Sequence, residues 1–192
     1  MERLAALGFE IFLDLKFHDI PNTVAGAVAA AAELPNVRLL TLHATGGIEM
    51  MRAARKSLMT RKKRPAILGV TILTSINASE MRRVGFSGAP ASRAVALARL
   101  ASEAGLDGVV ASAHEVRAIR RACGPKFLIV VPGVRPANSS TNDQARVATP
   151  FEAVRAGADY LVIGRPITAA PDPCGAARAI IEEAASAARN SR

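Results

Sequence analysis

Six short and nearly uninterrupted apolar runs, each separated from the next by a stretch of helical periodicity, constrain this chain more than any other feature. The runs are Glu10–Leu13, Val37–Leu42, Ala66–Leu73, Gly108–Ala111, Phe127–Val131 and Tyr160–Ile163. Strands apolar on both faces belong inside a parallel sheet covered by helices. The segments between them supply those helices. Val24 and Val28 sit four apart, Ala94, Leu97, Ala98 and Ala101 make one face, and Ala176, Ala179, Ile180 and Ala184 make another. Thr149 followed by Pro150 predicts a helix N-cap with proline at the first helical position, and Gly105 and Gly157 fall where helices end. Strand and helix in alternation predict an α/β fold with right-handed crossovers.

Two architectures meet that description, a doubly wound open sheet and a (β/α)8 TIM barrel. No GxGxxG follows any of the strands, which weakens the dinucleotide-binding form of the first. Polar residues gather where strands end instead: Asp14 and Lys16, His43, Thr74 and Ser75, Arg135, and Gly164 with Arg165. Chemistry collected on the βα loops is the habit of the barrel. The prediction is a single partial TIM-barrel domain over residues 1–192, with about six βα units where a complete barrel has eight. Such a remnant would leave two strand edges unpaired.

Half the residues are apolar, enough for one sizeable core in a chain of 192. The net charge of +9 raises the question of nucleic acid, a binding class whose mark would be steep salt dependence. The arginines are scattered, however, and the one cluster, Arg61-Lys62-Lys63-Arg64 ahead of Pro65, reads as a solvated helix end without RNA-binding aromatics. Cys123 and Cys174 stand alone, so neither a zinc site nor a disulfide framework is expected. Met1–Leu7 carries Glu2 and Arg3 rather than a signal-peptide run, and no apolar stretch approaches the roughly 20 residues needed to cross a bilayer. A cytoplasmic protein without membrane or nucleic-acid partners and without a metal is the expectation.

The segment Phe12–Thr23 is the richest in chemistry. On a regular strand Asp14 and Lys16 share one side, the barrel interior, while Leu13 and Leu15 face the helices. The pair is either an ion pair closing the barrel or the heart of a site; Asp19 follows on the loop. The stretch Pro132–Thr149 is roughly threefold longer than an ordinary βα loop. It is polar from Asn138 to Asp143, and reads either as a disordered insertion or, preferably, as a lid. His18 is expected to support the loop, His43 to line the site or serve the core, His114 to begin a helix, and Glu182 and Glu183 to be surface helix charges.

The run D-L-K-F-H-D-I-P-N-T resembles the DxKxxD signature of orotidine 5′-phosphate decarboxylases, and the I-P-N-T tail distinguishes it from related sugar-phosphate decarboxylases. Val70–Ser75, Pro132–Pro136, Asp143–Arg146 and Val162–Thr168 resemble further family segments in the same order. The resemblance implies a cofactor-free carboxy-lyase that converts orotidine 5′-phosphate to UMP and CO2. It assigns Lys16 as proton donor, Asp14 as neighbour of the substrate carboxylate, and Asp19 as a group contributed to the other site of a homodimer. Thr23 would also reach the neighbouring site, near its ribose or phosphate; Thr74 would meet the pyrimidine, and Arg135, Gln144, Gly164 and Arg165 would hold the phosphate. Family members open with a strand bearing a ribose-binding aspartate and a second bearing a lysine, and this chain starts beyond both. The two missing units of the barrel are thus expected to be the N-terminal ones, and low activity is expected of the chain as it stands. A non-catalytic nucleotide-binding remnant and a sugar-phosphate decarboxylase are the rival readings.

Overall fold

The computed structural model describes residues 1–136 and 148–189. In chain order the elements are α1 (Glu2–Ala6), β1 (Ile11–Phe17), α2 (Pro21–Ala31), β2 (Val37–His43), α3 (Ile48–Lys56), β3 (Ala66–Val70), α4 (Ala78–Arg83) and α5 (Pro90–Glu103). They continue with β4 (Gly108–Val110), α6 (Val116–Cys123), β5 (Leu128–Pro132), α7 (Pro150–Ala156), β6 (Tyr160–Val162), α8 (Arg165–Thr168) and α9 (Pro173–Arg189). The strands lie in the sheet in the order β1-β2-β3-β4-β5-β6, and β1/β2, β2/β3 and β5/β6 pair in parallel. A sheet that follows chain order without reversal winds as a barrel does, whereas a doubly wound sheet reverses at its switch point. The strand boundaries differ from the sequence reading in two places that bear on function. β1 runs on through Asp14 and Lys16 to Phe17, and β3 stops at Val70, which leaves Thr74 in a turn.

The chain divides into two compact units, Met1–Thr71 with Ala96–Val109, and Ile72–Val95 with Val110–Arg192. In the first, β2 supplies Leu39, Leu40 and Leu42, β3 supplies Ile67, Leu68 and Val70, and all are buried. α2 covers them with Val24, Val28 and Ala31, and its neighbour α3 with Met50, Met51 and Ala54. Each large side chain buried in this way contributes about 1.5–3 kcal/mol. At Gly69 helix and strand pack tightly: a Cβ there would lie 3.3 Å from the Ala101 methyl of α5 and 3.4 Å from that of Ala44. Only the absence of a side chain lets helix and strand approach so far.

The second unit buries Ile129, Val130 and Val131 of β5, Val116 and Ile119 of α6 and Ala153 of α7, and α6 packs on α7. Thr149 caps α7 as predicted. Its hydroxyl accepts from the Glu152 N–H at 3.1 Å, the Glu152 carboxylate accepts from the Thr149 N–H at 2.9 Å, and Pro150 opens the helix. Gly157 ends α7 in the left-handed region at φ 106°. α9 packs on α7, and Glu183 accepts from the Phe151 N–H at 3.3 Å, so it is not simply a solvated charge.

One polar device recurs in both units. In the first, Asp107, just before β4, accepts from both terminal nitrogens of Arg64 at 2.7 Å and from the Ile67 N–H of β3 at 2.8 Å. In the second, Asp159, just before β6, accepts from Arg120 at 2.7 Å and from the Ile129 N–H of β5 at 2.7 Å. The Asp107 carboxyl is pulled two ways. Burial raises its pKa, but the hydrogen bonds from Arg64 and Ile67 and the charges of Arg64 and Arg55 outweigh that and hold it below the ordinary 3.8. The basic cluster expected to be a solvated helix end is therefore partly structural: Arg64 braces this junction, and Arg61 pairs with Glu33.

Candidate active site

The end of β1 departs from a regular strand. Leu13 pairs with Leu40 and Phe17 with Leu42, so four steps along β1 are matched by two along β2. The surplus falls on Asp14, Leu15 and Lys16, which bulge from the ladder. Bulges of this kind re-aim side chains and are common beside active sites. Lys16 takes up the distortion at φ 51°, a left-handed backbone that costs a side-chain-bearing residue about 1–2 kcal/mol. Simple alternation is therefore lost here, and Leu15, expected to face the helices, is exposed.

The bulge brings three polar groups together. The Lys16 ammonium donates to Asp14 Oδ2 at 2.6 Å. The hydroxyl of Thr41, on β2 and fully buried, donates to Asp14 Oδ1 at 2.7 Å and accepts from the Lys16 backbone N–H at 3.0 Å. Asp14 and Lys16 side chains remain 42% and 39% exposed, so the ion pair itself adds only about 0.2–1 kcal/mol to stability. The arrangement costs backbone strain and returns little stability, a combination that clusters at active sites and ligand clamps. Thr41 belongs to none of the sequence motifs. Its signal was a lone hydroxyl inside the otherwise apolar run Leu39-Leu40-Thr41-Leu42.

His43 closes β2 beside this cluster, and its ring lies 5.4 Å from that of His18, tilted by 42°. Burial, followed by the positive charges of His18 and Lys16, holds its pKa below 6.5 against the opposing pull of Asp14. Both effects favour the neutral form of the His43 imidazole.

The remaining candidates sit as follows. Asp19 is exposed on the loop after β1 and accepts from the Ile20 N–H at 2.6 Å. Thr23 is exposed in the first turn of α2. Both lie in the first unit with Asp14 and Lys16. In the second unit, Thr74 is half-buried in the turn after β3. Arg135 follows β5, only 6% exposed, with its N–H donating to the Ala148 carbonyl at 3.0 Å. Gly164 precedes α8, its carbonyl accepts from the N–H groups of Ile167 and Thr168, and Arg165 is the first residue of that helix and exposed. Gln144 and most of the expected lid lie outside the described residues. Among the described residues, no group of three or more His, Cys, Asp or Glu side chains could hold a metal ion, and no helix is long and apolar enough to cross a membrane.

Residues 1–180 match the family described as orotidine 5′-phosphate decarboxylase / HUMPS. The chain is 53% identical over 183 residues to orotidine 5′-phosphate decarboxylase of Nitrosococcus oceani, covering 95% of this chain and 78% of the relative. With the same enzyme of Geobacter sulfurreducens it shares 58% over 179 residues, covering 92% of this chain and 74% of the relative. In three dimensions it resembles the crystal structure of orotidine 5′-phosphate decarboxylase from Lactobacillus acidophilus, with a TM-score of 0.83 and 38% identity over 95% of this chain and 79% of that one. It also resembles the Pyrococcus horikoshii enzyme, with a TM-score of 0.71 and 26% identity over 96% of this chain and 78% of that one.

Proposed function

The chain belongs to the orotidine 5′-phosphate decarboxylase / HUMPS family, and from that premise we propose that it decarboxylates orotidine 5′-phosphate to UMP. The observation that carries the reading is the Asp14–Lys16 ion pair at 2.6 Å on a strained bulge. Decarboxylation breaks the bond between the ring carbon and the carboxylate, CO2 departs, and the bonding electron pair stays on the carbon. Lys16 supplies what that carbon then needs, a positive charge beside it and a proton to form the new C–H bond. Solvent restores the lysine proton. Asp14 stands beside the substrate carboxylate, and the repulsion between them ends as CO2 leaves. The DxKxxD run with its I-P-N-T tail favours this substrate over a sugar phosphate.

Thr74 contacts the pyrimidine in this reading, and Arg135, Gln144, Gly164 and Arg165 hold the phosphate through backbone N–H groups and guanidinium forks. The protein works as a cytoplasmic homodimer in which Asp19 and Thr23 serve the neighbouring site. Support for that comes from their exposure, together with Ile20, which is 67% exposed between them. The test is release of CO2 from orotidine 5′-phosphate by the wild-type chain and by Lys16→Ala. Turnover in the wild type, with a loss of about 10²-fold or more in the variant, is expected. A variant that binds UMP and still turns over normally would remove Lys16 from the chemistry. A wild type that binds UMP without turnover would favour the nucleotide-binding reading.

A further inference from the structure

We infer that Thr41 is a positioning residue for the decarboxylation, acting through both Asp14 and Lys16; this rests on the function proposed above. A hydroxyl offers one donor and two acceptor lone pairs. Thr41 uses its donor on Asp14 Oδ1 at 2.7 Å and accepts the Lys16 N–H at 3.0 Å, while its own side chain is fully buried on β2. A single atom thus holds one carboxylate oxygen of the pair and the backbone of its other member. Its placement answers a specific problem. The bulge takes Asp14, Leu15 and Lys16 out of the ladder, so the Lys16 N–H loses its regular strand partner and the φ of 51° needs something to hold it. Thr41 lies between Leu40 and Leu42, the two residues that flank the bulge on the neighbouring strand, and its hydroxyl stands in for the absent carbonyl. With Oδ1 engaged, the remaining oxygen of Asp14 is the one that meets the Lys16 ammonium. Carboxylate rotation and lysine approach are therefore set from the same point.

A threonine serving only as a β-branched strand residue would be replaceable by valine, which has its shape and a high strand propensity. A threonine that positions the pair would not be, and serine would substitute for it. The experiment compares the wild-type chain, Thr41→Val and Thr41→Ser in two measurements. The first is kcat and KM for CO2 release. Thr41→Val is expected to lower kcat by about 10- to 100-fold, the scale of a small misplacement of a catalytic group, with KM within a few-fold of wild type. Thr41→Ser should recover most of kcat. Wild-type turnover matched by Thr41→Val overturns the inference and leaves the proposed function standing. A wild type with no turnover defeats the proposed function and the catalytic half of the inference with it. The second measurement, amide hydrogen exchange at Lys16, does not depend on turnover. Thr41→Val should accelerate exchange at that amide at least about tenfold over neighbouring strand amides, and Thr41→Ser should restore protection. Equal protection of Lys16 in wild type and Thr41→Val overturns the bracing role.

Discussion

Replacing Lys16 by glycine and, separately, by alanine isolates the strain stored in the bulge. Both variants lose the ammonium and its ion pair with Asp14, an exposed interaction of about 0.2–1 kcal/mol, so that loss cancels between them. Both keep the backbone N–H that donates to Thr41. They differ in how they meet φ 51°. Alanine carries the left-handed penalty of about 1–2 kcal/mol that lysine carries. Glycine escapes it but gives up about 0.5–1 kcal/mol through its greater freedom in the unfolded chain. The balance makes Lys16→Gly the more stable of the two by about 0.5–1 kcal/mol. In a regular strand the order would be reversed, with glycine the weaker by a similar amount. Urea unfolding followed by circular dichroism, with equal m-values as a check on the unfolded states, reads the difference directly. Thermal melts should agree, with glycine higher by roughly 1–4 °C for a chain of this size. An alanine variant as stable as the glycine variant, or more so, would refute the assignment of strain to Lys16. Neither variant should release CO2 at an appreciable rate.

Asp107→Asn should cost about 2 kcal/mol in urea unfolding, because it weakens the hold on an Arg64 guanidinium that is only about a quarter exposed. The Asp107 carboxyl is held below 3.8, so its contribution to stability is present above that pH and is lost as the pH falls through the folded-state value. The acid limb of the stability curve should therefore flatten in Asp107→Asn, and an unchanged limb would contradict the assignment. His43 runs in the same direction at higher pH, since its folded pKa lies below 6.5 and the unfolded chain binds the proton first. Stability should fall as the pH drops below about 6.5, and His43→Gln should remove that part of the slope; urea midpoints between pH 5 and 8 measure it. Arg165→Ala should weaken UMP by about 1.5–3 kcal/mol while leaving uridine affinity nearly unchanged, as read by calorimetry. Equal losses for the two ligands would remove Arg165 from phosphate binding.

The sequence by itself determined the α/β alternation, because strands buried on both faces must be apolar throughout and helices packed against them must repeat at 3.6 residues. It also determined α7, whose Thr149-Pro150 start and Gly157 end are local chemistry that needs no distant partner. Asp14 and Lys16 stood out as candidates because charges inside an apolar strand demand a reason. The geometry of that pair is not legible in the strand by itself. A period of two assigns side chains to faces only while the ladder is regular, and the surplus of residues on β1 is a property of its pairing with β2, invisible in either strand alone. Thr41 is 25 residues from Lys16 in the chain, so its bonds to Asp14 and Lys16 exist only once β1 and β2 lie side by side. Arg64 and Asp107 are separated by 43 residues, and a basic cluster read as solvated conceals a brace for the same reason. Local composition settles which residues are apolar, turning or charged. Which charge meets which partner, and at what backbone strain, is decided by contacts between segments that only the folded sheet brings together.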